Sequence, residues 1–126
     1  MELSSLKSKV EFGTEIEQKA SAWLEKKSWK LVARNYRCRV GEIDLIYEKL
    51  HGEGESELIF VEVRARQEGG SWIGALESVD WKKQQRLKRA IRYFLARYRG
   101  PATSLRVDIL GWDGLRWAHW PNVWIA

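Results

Sequence analysis

The sequence has few of the residues that build disulfide-bonded, cysteine–zinc or membrane-spanning proteins. Cys38 is its only cysteine, so the chain can form no internal disulfide and no cysteine-based zinc cluster. This usage suits a reducing compartment, and we expect a cytoplasmic protein. The longest strongly apolar run, over residues 58–61, is too short to cross a bilayer. The first residues show neither the basic nor the apolar segment of a signal peptide, so we expect no membrane association.

Several familiar catalytic motifs are also missing. The sequence has no glycine-rich phosphate loop and no nucleophile elbow. Neither histidine, His51 or His119, has a second ligand at zinc spacing. There is no internal repeat, low-complexity block or linker. A length of 126 residues with 44% hydrophobic content therefore predicts one globular domain spanning 1–126.

Acidic residues are missing from one long segment. Residues 82–99 contain eight basic side chains and no acidic one, whereas the whole chain has a net charge of +5. The remaining residues hold 14 basic and 17 acidic side chains, a net charge of −3. All the excess positive charge therefore lies in this segment. A surface helix is often charged, but eight unopposed cations favour a nucleic-acid partner.

Hydrophobic periodicity predicts two helices and five strands in the order α-β-β-β-α-β-β. Thr14-Glu15-Ile16-Glu17 has the spacing of a capping box, which puts the start of the first helix at Thr14. Gly100-Pro101 ends the second helix. The order predicts an α/β fold with a mixed sheet of about five strands, the second helix crossing over between strands three and four. We expect helices over 14–27 and 80–98, and strands over 29–37, 42–48, 57–66, 105–110 and 115–120.

Glu62 falls inside an apolar strand, where an unpaired carboxylate is costly. The strand reads Leu58-Ile59-Phe60-Val61-Glu62-Val63-Arg64, and alternation places Phe60, Glu62 and Arg64 on one face. One interpretation is that Glu62 and Arg64 simply pair with each other, because buried charges are usually paired.

Asp44 is a second carboxylate in the preceding apolar strand. Alternation puts Asp44 and Ile46 on one face, and Ile43, Leu45 and Tyr47 on the other. If the two strands form a hairpin, Asp44 and Glu62 can face each other. They then repel unless a proton or a divalent cation lies between them. Hard oxygen ligands of this kind suit Mg²⁺ or Mn²⁺.

Two other side chains lie at the edges of predicted buried faces. Glu17 falls beside Ala20 and Leu24 on the first helix and could be a third acid, although by itself it favours a role in the capping box, which is a common motif. Lys83 lies one turn before Leu87 and could point toward the sheet. Alternatively, the aliphatic part of the Lys83 side chain packs along the core. Three neighbours on the second helix are expected to face solvent: Lys82, Arg86 and Arg89.

The order of these residues resembles the YraN-like family of small bacterial proteins. That family is grouped with restriction-endonuclease-like and Holliday-junction-resolvase-like nucleases of the PD-(D/E)xK type. The resemblance covers a motif-bearing core of about 13–110. The matching stretches are Gly13-x-x-x-Glu17-x-x-Ala20, Asn35-Tyr36-Arg37, Gly41-Glu42-Ile43-Asp44-Leu45-Ile46, Phe60-Val61-Glu62-Val63-Arg64-x-Arg66, Ser78-Val79 followed by Lys83, and Arg106-Val107-Asp108.

The resemblance implies a restriction-endonuclease-like fold and a role for each matched position. Asp44 and Glu62 would bind Mg²⁺ or Mn²⁺, and Glu17 would complete the acidic cluster directly or through water. Arg64 stands where such nucleases carry lysine. Arginine cannot act as a base at neutral pH, but it can hold a phosphate, and Lys83 could replace the missing amine. The predicted nucleic-acid contacts are Arg37, Arg66, Lys82, Lys83, Arg86 and Arg89.

Three functions are compatible with these features. The first is a metal-dependent endonuclease acting on DNA, including branched or junction DNA. The second is a DNA- or RNA-binding module on the same fold without chemistry, with Arg64 replacing the catalytic lysine. The third is protein interaction, including a homodimer, because tryptophans are enriched at interfaces. It rests on a cluster near the C-terminus that could instead belong to the core: Trp112, Trp117, Trp120 and Trp124.

Overall fold

A computed structural model describes residues 9–65 and 81–123, with side chains from residue 15 onward. Within these ranges the chain forms two α-helices and five strands in the predicted order. Their bounds are α1 Lys9–Leu24, β1 Lys30–Cys38, β2 Gly41–Leu50, β3 Ser56–Ala65, α2 Trp81–Arg97, β4 Ser104–Trp112 and β5 Trp117–Trp120. Two short 3₁₀ turns, Glu25–Lys27 and Gly52–Gly54, connect neighbouring elements.

The strands form one mixed sheet in the order β1-β2-β3-β4-β5. All neighbouring strands are antiparallel except β3 and β4, which are parallel. A parallel pair needs a crossover connection, and α2 lies in that connection. The predicted α/β class and mixed sheet are confirmed, and the arrangement is consistent with a restriction-endonuclease-like fold.

Each face of the sheet carries its own hydrophobic core. Alternation along β3 places Phe60 on the face that packs against α2 and Ile59 on the face that packs against α1. The α2-face core contains Ile43, Ile46, Leu58, Phe60, Leu87, Ala90, Ile91 and Val107. The α1-face core contains Ala20, Leu24, Leu45, Tyr47, Ile59, Val61 and Leu110.

Helix α1 begins earlier than the sequence predicts. It starts at Lys9, so Thr14 lies inside the helix and cannot be its N-cap residue. The capping-box prediction is therefore wrong, and Glu17 has no capping role. Extending a helix by a few residues is easier than starting one, and no proline stops the extension before Thr14. No helix in the described ranges is long and apolar enough to span a membrane.

Strand β2 departs from strict alternation at Asp44. Leu45 and Tyr47 lie in the α1-face core as predicted, but Ile43 lies in the α2-face core. The prediction that Ile43 shares a face with Leu45 is wrong. The β1–β2 register places Asn35 opposite Asp44, and Asn35 has a φ of 54°. Asparagine tolerates this left-handed conformation better than most residues, so an irregular residue of β1 lies opposite the point at which β2 leaves strict alternation.

Candidate active site

Strands β2 and β3 separate at the level of Asp44. Their pairing ends at Leu45 and Val61. If the ladder continued in the same register, the Val63 N–H would reach the Ile43 carbonyl. Instead the Asp44 side chain accepts that N–H through Oδ2 at 2.8 Å. A side-chain carboxylate thus takes the place of a backbone acceptor between the two strands. The gap between the strands forms the centre of the site.

A cleft of about 690 Å³ opens at this gap. Its volume lies in the range of ligand-binding clefts. Side chains from both helices and from β1, β2 and β3 line it. The cleft brings together seven of the ten predicted site residues: Glu17, Arg37, Asp44, Glu62, Arg64, Lys83 and Arg86.

The other three predicted site residues lie elsewhere. Lys82 and Arg89 are exposed on α2, outside the cleft lining and facing solvent as predicted. Arg66 lies outside the described residues. Sequence reasoning overlooked Cys38, Arg39 and Val40, which line the cleft near the turn between β1 and β2. The Asn35-Tyr36-Arg37 motif just before them was the available signal.

The three carboxyl groups disturb one another strongly. Burial, followed by the charge of Asp44, raises the pKa of Glu62 to about 8, and Lys83 and Arg64 offset only part of this. Burial, the charge of Asp44 and a side-chain hydrogen bond with it raise the pKa of Glu17 to about 7. Burial raises the pKa of Asp44 as well, against the hydrogen bond from Val63. The cluster therefore resists full ionisation at neutral pH and would gain from a nearby cation.

Glu62 is shared between two cationic side chains. Its side chain is almost fully buried, and Oε1 lies 3.6 Å from Lys83 Nζ and 3.7 Å from an Arg64 guanidinium nitrogen. Lys83 thus points toward the sheet, as one interpretation of the sequence predicts. The simple pairing of Glu62 with Arg64 is also present. The two cations reach the carboxylate from different elements, α2 and β3.

Gly41 sets the distance between β2 and α2. A Cβ atom at this position would lie 2.7 Å from the Arg86 carbonyl oxygen and 3.5 Å from the Ala90 side chain. Real Cβ atoms do not approach backbone this closely, so only glycine allows the contact. The first residue of the Gly41-Glu42-Ile43-Asp44 motif thereby fixes the helix that carries Lys83.

The donor set suits a hard divalent cation whose shell is completed by water and phosphate. Among the side chains of residues 15–65 and 81–123, no three His, Cys, Asp or Glu residues form a ready-made metal cage. Mg²⁺ does not require one, because it commonly takes one or two carboxylates, several waters and substrate phosphate oxygens. Asp44 and Glu62, which repel each other across the gap, fit that demand.

Sequence reasoning also missed a second charged network, centred on Asp108. Asp108 is fully buried. It accepts hydrogen bonds from Arg106 Nε at 3.0 Å, His119 Nε2 at 2.8 Å and the Asn122 N–H at 2.9 Å. Burial alone would raise the pKa of Asp108, but these hydrogen bonds outweigh it and hold the pKa below its ordinary value. The network fastens β5 and the residues after it to β4. The signal was the shared face of Arg106 and Asp108.

Comparison with known proteins places the chain in a family. A family model described as uncharacterised protein family UPF0102 matches residues 16–111, which include every acidic residue of the cleft. The chain belongs to UPF0102. This is the YraN-like family that the motif order resembles.

Relatives from several bacteria match most of the UPF0102 chain. A UPF0102 protein of Ralstonia nicotianae is 40% identical over 106 residues, covering 82% of this chain and 78% of its own. One of Alcanivorax borkumensis is 41% identical over 109 residues, with 86% and 82% covered. One of Halorhodospira halophila is 44% identical over 108 residues, with 86% and 81% covered.

Proposed function

We propose that this UPF0102 protein is a divalent-metal-dependent endonuclease that hydrolyses phosphodiester bonds in DNA. One observation carries the proposal. Glu17, Asp44 and Glu62 converge from three elements in one cleft, with Lys83 and Arg64 beside them. Carboxylates alone would suit a cation, and cations alone would suit a phosphate. Both together suit a phosphodiester bound next to a divalent metal.

The residues of the cleft would have different roles in the reaction. Asp44 and Glu62 would hold Mg²⁺ or Mn²⁺, which when bound supplies Lewis-acid stabilisation and makes water a better nucleophile. Lys83 and Arg64 would bind the non-bridging phosphate oxygens and stabilise the charge that develops there. Because arginine stays protonated, Arg64 cannot take the proton of the attacking water. Glu17, only partly buried in the cleft, would accept it.

The reaction would be an in-line displacement at phosphorus. A bond forms from the water oxygen to phosphorus as the bond from phosphorus to one sugar oxygen breaks. The leaving oxygen takes a proton, and the products are a phosphate monoester and a free hydroxyl. This is the chemistry for which carboxylate–metal sites and phosphate-binding cations are combined in one cleft.

The outer face of α2 would hold the DNA backbone. Lys82, Arg86 and Arg89 are exposed on the same helix as Lys83. Arg37 also lines the cleft, 3.5 Å from exposed Glu42, and a pair this exposed is weak enough to yield to a phosphate. A DNA substrate also agrees with the expected cytoplasmic location.

A second candidate is a nucleic-acid-binding module without chemistry. The observation that favours it is the double engagement of Glu62 by Lys83 and Arg64, since these cations can neutralise the carboxylate without a metal. Binding would then depend on phosphate contacts and weaken steeply with salt. The Arg86→Glu, Arg89→Glu double variant should lower affinity and reduce the salt dependence.

Cleavage assays on linear, single-stranded and four-way DNA distinguish the two candidates. With Mg²⁺ or Mn²⁺, we expect the wild type to cut at least one substrate and Asp44→Asn to cut none. Lys30→Ala removes an exposed lysine from the start of β1 and serves as the surface control with unchanged cutting. Absence of metal-dependent cutting, or equal cutting by Asp44→Asn, refutes the nuclease. Salt-dependent binding that persists without cutting supports the binding module.

A further inference from the structure

A patch of aromatic and apolar side chains surrounds the turn between β4 and β5. Trp112 and Trp117 are cross-strand neighbours whose ring centroids lie 4.8 Å apart at 46°. Both are partly exposed. Leu115, in the turn itself, is 69% exposed. We call these three residues, with the nearby cations Lys19 and Arg116, the hairpin patch.

The turn holds its exposed leucine in a fixed conformation. Asp113 Oδ1 accepts hydrogen bonds from the Leu115 N–H at 2.8 Å and the Arg116 N–H at 2.7 Å. The Asp113 N–H donates to the Arg116 carbonyl at 3.3 Å, and Gly114 adopts a φ of 99°. A turn whose backbone is held this way loses little backbone entropy when it meets a ligand.

The charges of the hairpin patch suit a polyanion. Lys19 Nζ lies 5.8 Å from the Trp112 ring centroid, near the outer limit of a cation–π contact, so the ammonium group stays available. Arg116 is exposed beside Trp117. The carboxylate of Asp113 is committed to the turn. Protein interfaces are depleted in lysine at their centres, whereas single-strand binding sites combine aromatic rings with cations.

The sheet places the hairpin patch beside the cleft. In the β3–β4 register Arg64 pairs with Gly111, and Ala65 with Trp112. Neighbouring strands are about 4.8 Å apart, so the Trp112 backbone lies one strand away from the end of the site. Trp112 follows Leu110 on the α1 face. Glu17 and Lys19, two residues apart on α1, lie on different sides of that helix, Glu17 in the cleft and Lys19 beside Trp112. A nucleic-acid strand that leaves the cleft past Ala65, which lines it, would meet the patch at the neighbouring Trp112.

We propose that the hairpin patch stacks unpaired bases, so that the protein prefers DNA with a single-stranded segment next to the cleft. Trp112 and Trp117 would stack the bases, Leu115 would close the end of the stack, and Lys19 and Arg116 would contact phosphates. The proposal rests on the proposed function for the position of the nucleic acid. It does not require that the protein cleave it.

Fluorescence anisotropy in the presence of a chelator tests the patch without involving cleavage. The probes are a labelled 12-nucleotide oligothymidine and a duplex of the same length. We expect Trp112→Ala to weaken single-strand binding by roughly 5- to 150-fold, the loss of one stacked base, and to change duplex binding less than twofold. Trp112→Phe keeps an aromatic ring and should retain most of the affinity.

Two further variants distinguish a loss of binding from a loss of folding. Leu115→Glu alters a side chain that is mostly exposed, so it should fold normally and still weaken single-strand binding. Leu50→Ala, at a residue 72% exposed at the end of β2, is the matched control with unchanged binding. The proposal is overturned if both patch variants bind the single strand like the wild type, or if they lose both probes equally. It is also overturned if they change only the molecular mass in light scattering, which would mark a protein interface.

Retained single-strand preference in a wild type that never cuts DNA would refute the nuclease and leave this proposal intact.

Discussion

Replacing Asp44 by asparagine should stabilise the metal-free protein at alkaline pH and abolish its response to Mn²⁺. The amide has the shape of the carboxylate and can still accept the Val63 N–H that Asp44 Oδ2 receives at 2.8 Å. It removes the negative charge that disturbs Glu62 and Glu17. The substitution therefore separates the electrostatics of the site from its packing.

The magnitude follows from the pKa of Glu62. That pKa rises from 4.5 to about 8, which corresponds to roughly 5 kcal/mol of unfavourable free energy for the ionised form. Burial is the larger cause and the charge of Asp44 the next. Removing the charge of Asp44 should therefore recover the smaller part of this unfavourable free energy, on the order of 1–2 kcal/mol. In a domain of this size that gain raises the melting temperature by about 3–8 °C.

The direction of the Glu62 pKa shift determines the pH range in which Asp44→Asn is more stable than the wild type. Unfolded Glu62 ionises near 4.5 and folded Glu62 near 8, so between these values the folded state holds the extra proton. Stability therefore falls as the pH rises through this range. The penalty is absent below pH 4.5 and complete above pH 8. Asp44→Asn should show a shallower fall, with its largest advantage at the alkaline end.

Thermal unfolding at pH 5 and pH 9, with and without Mn²⁺, measures both the pH dependence of stability and the response to the metal. Mn²⁺ at about 100 times its Kd should stabilise the wild type by about 2.7 kcal/mol and leave Asp44→Asn unchanged. Glu55→Gln removes an exposed carboxylate in the β2–β3 connection and should behave like the wild type. If Asp44→Asn keeps the wild-type pH dependence and the Mn²⁺ response, the carboxylate cluster does not work as described.

Three other substitutions test separate parts of the molecule. Lys83→Ala should slow metal-dependent cleavage at least tenfold. DNA affinity should change little, because only one of the two cations beside Glu62 is lost and the exposed basic residues of α2 remain. A rate equal to that of Lys30→Ala would contradict this. Gly41→Ala should destabilise the fold by about 1–3 kcal/mol in urea unfolding, since its Cβ meets helix backbone at 2.7 Å. Gly52→Ala, with no atom within 4 Å, should change stability by less than about 0.5 kcal/mol, and equal effects would refute the close approach. Asp108→Ala should cost about 3–5 kcal/mol in the same assay because it leaves buried partners uncompensated, and a near-neutral result would show that the network is not needed.

The parts of the site that could be predicted are those whose cause is local. Glu62 stands out in the sequence because a carboxylate inside an apolar strand is costly wherever the strand packs. Asp44 stands out for the same reason. The position of Lys83 on the edge of an apolar helical face is likewise a property of one helix. Element order and the mixed sheet follow from hydrophobic periods that each segment carries by itself.

The parts that could not be predicted depend on partners distant in the sequence. Strict alternation fails at Ile43, where the neighbouring strand carries Asn35 in a left-handed conformation opposite Asp44. The bond from His119 to Asp108 joins two strands across a turn. Neither of these contacts has a period or a spacing that one segment displays.

The separation of β2 and β3 at Asp44 follows from the hydrogen bond that the Asp44 side chain makes. A carboxylate that accepts the Val63 N–H occupies the place of a backbone carbonyl, so β2 and β3 cannot close beyond it. The open gap admits water and a ligand, and it leaves Glu62 with Lys83 and Arg64 as its neighbours. A divalent cation entering the gap would compete with these two side chains for the Glu62 carboxylate. It would thereby release two positive charges beside the place where a phosphate would bind. Metal and DNA should then strengthen each other's binding by the same factor, since such coupling is reciprocal.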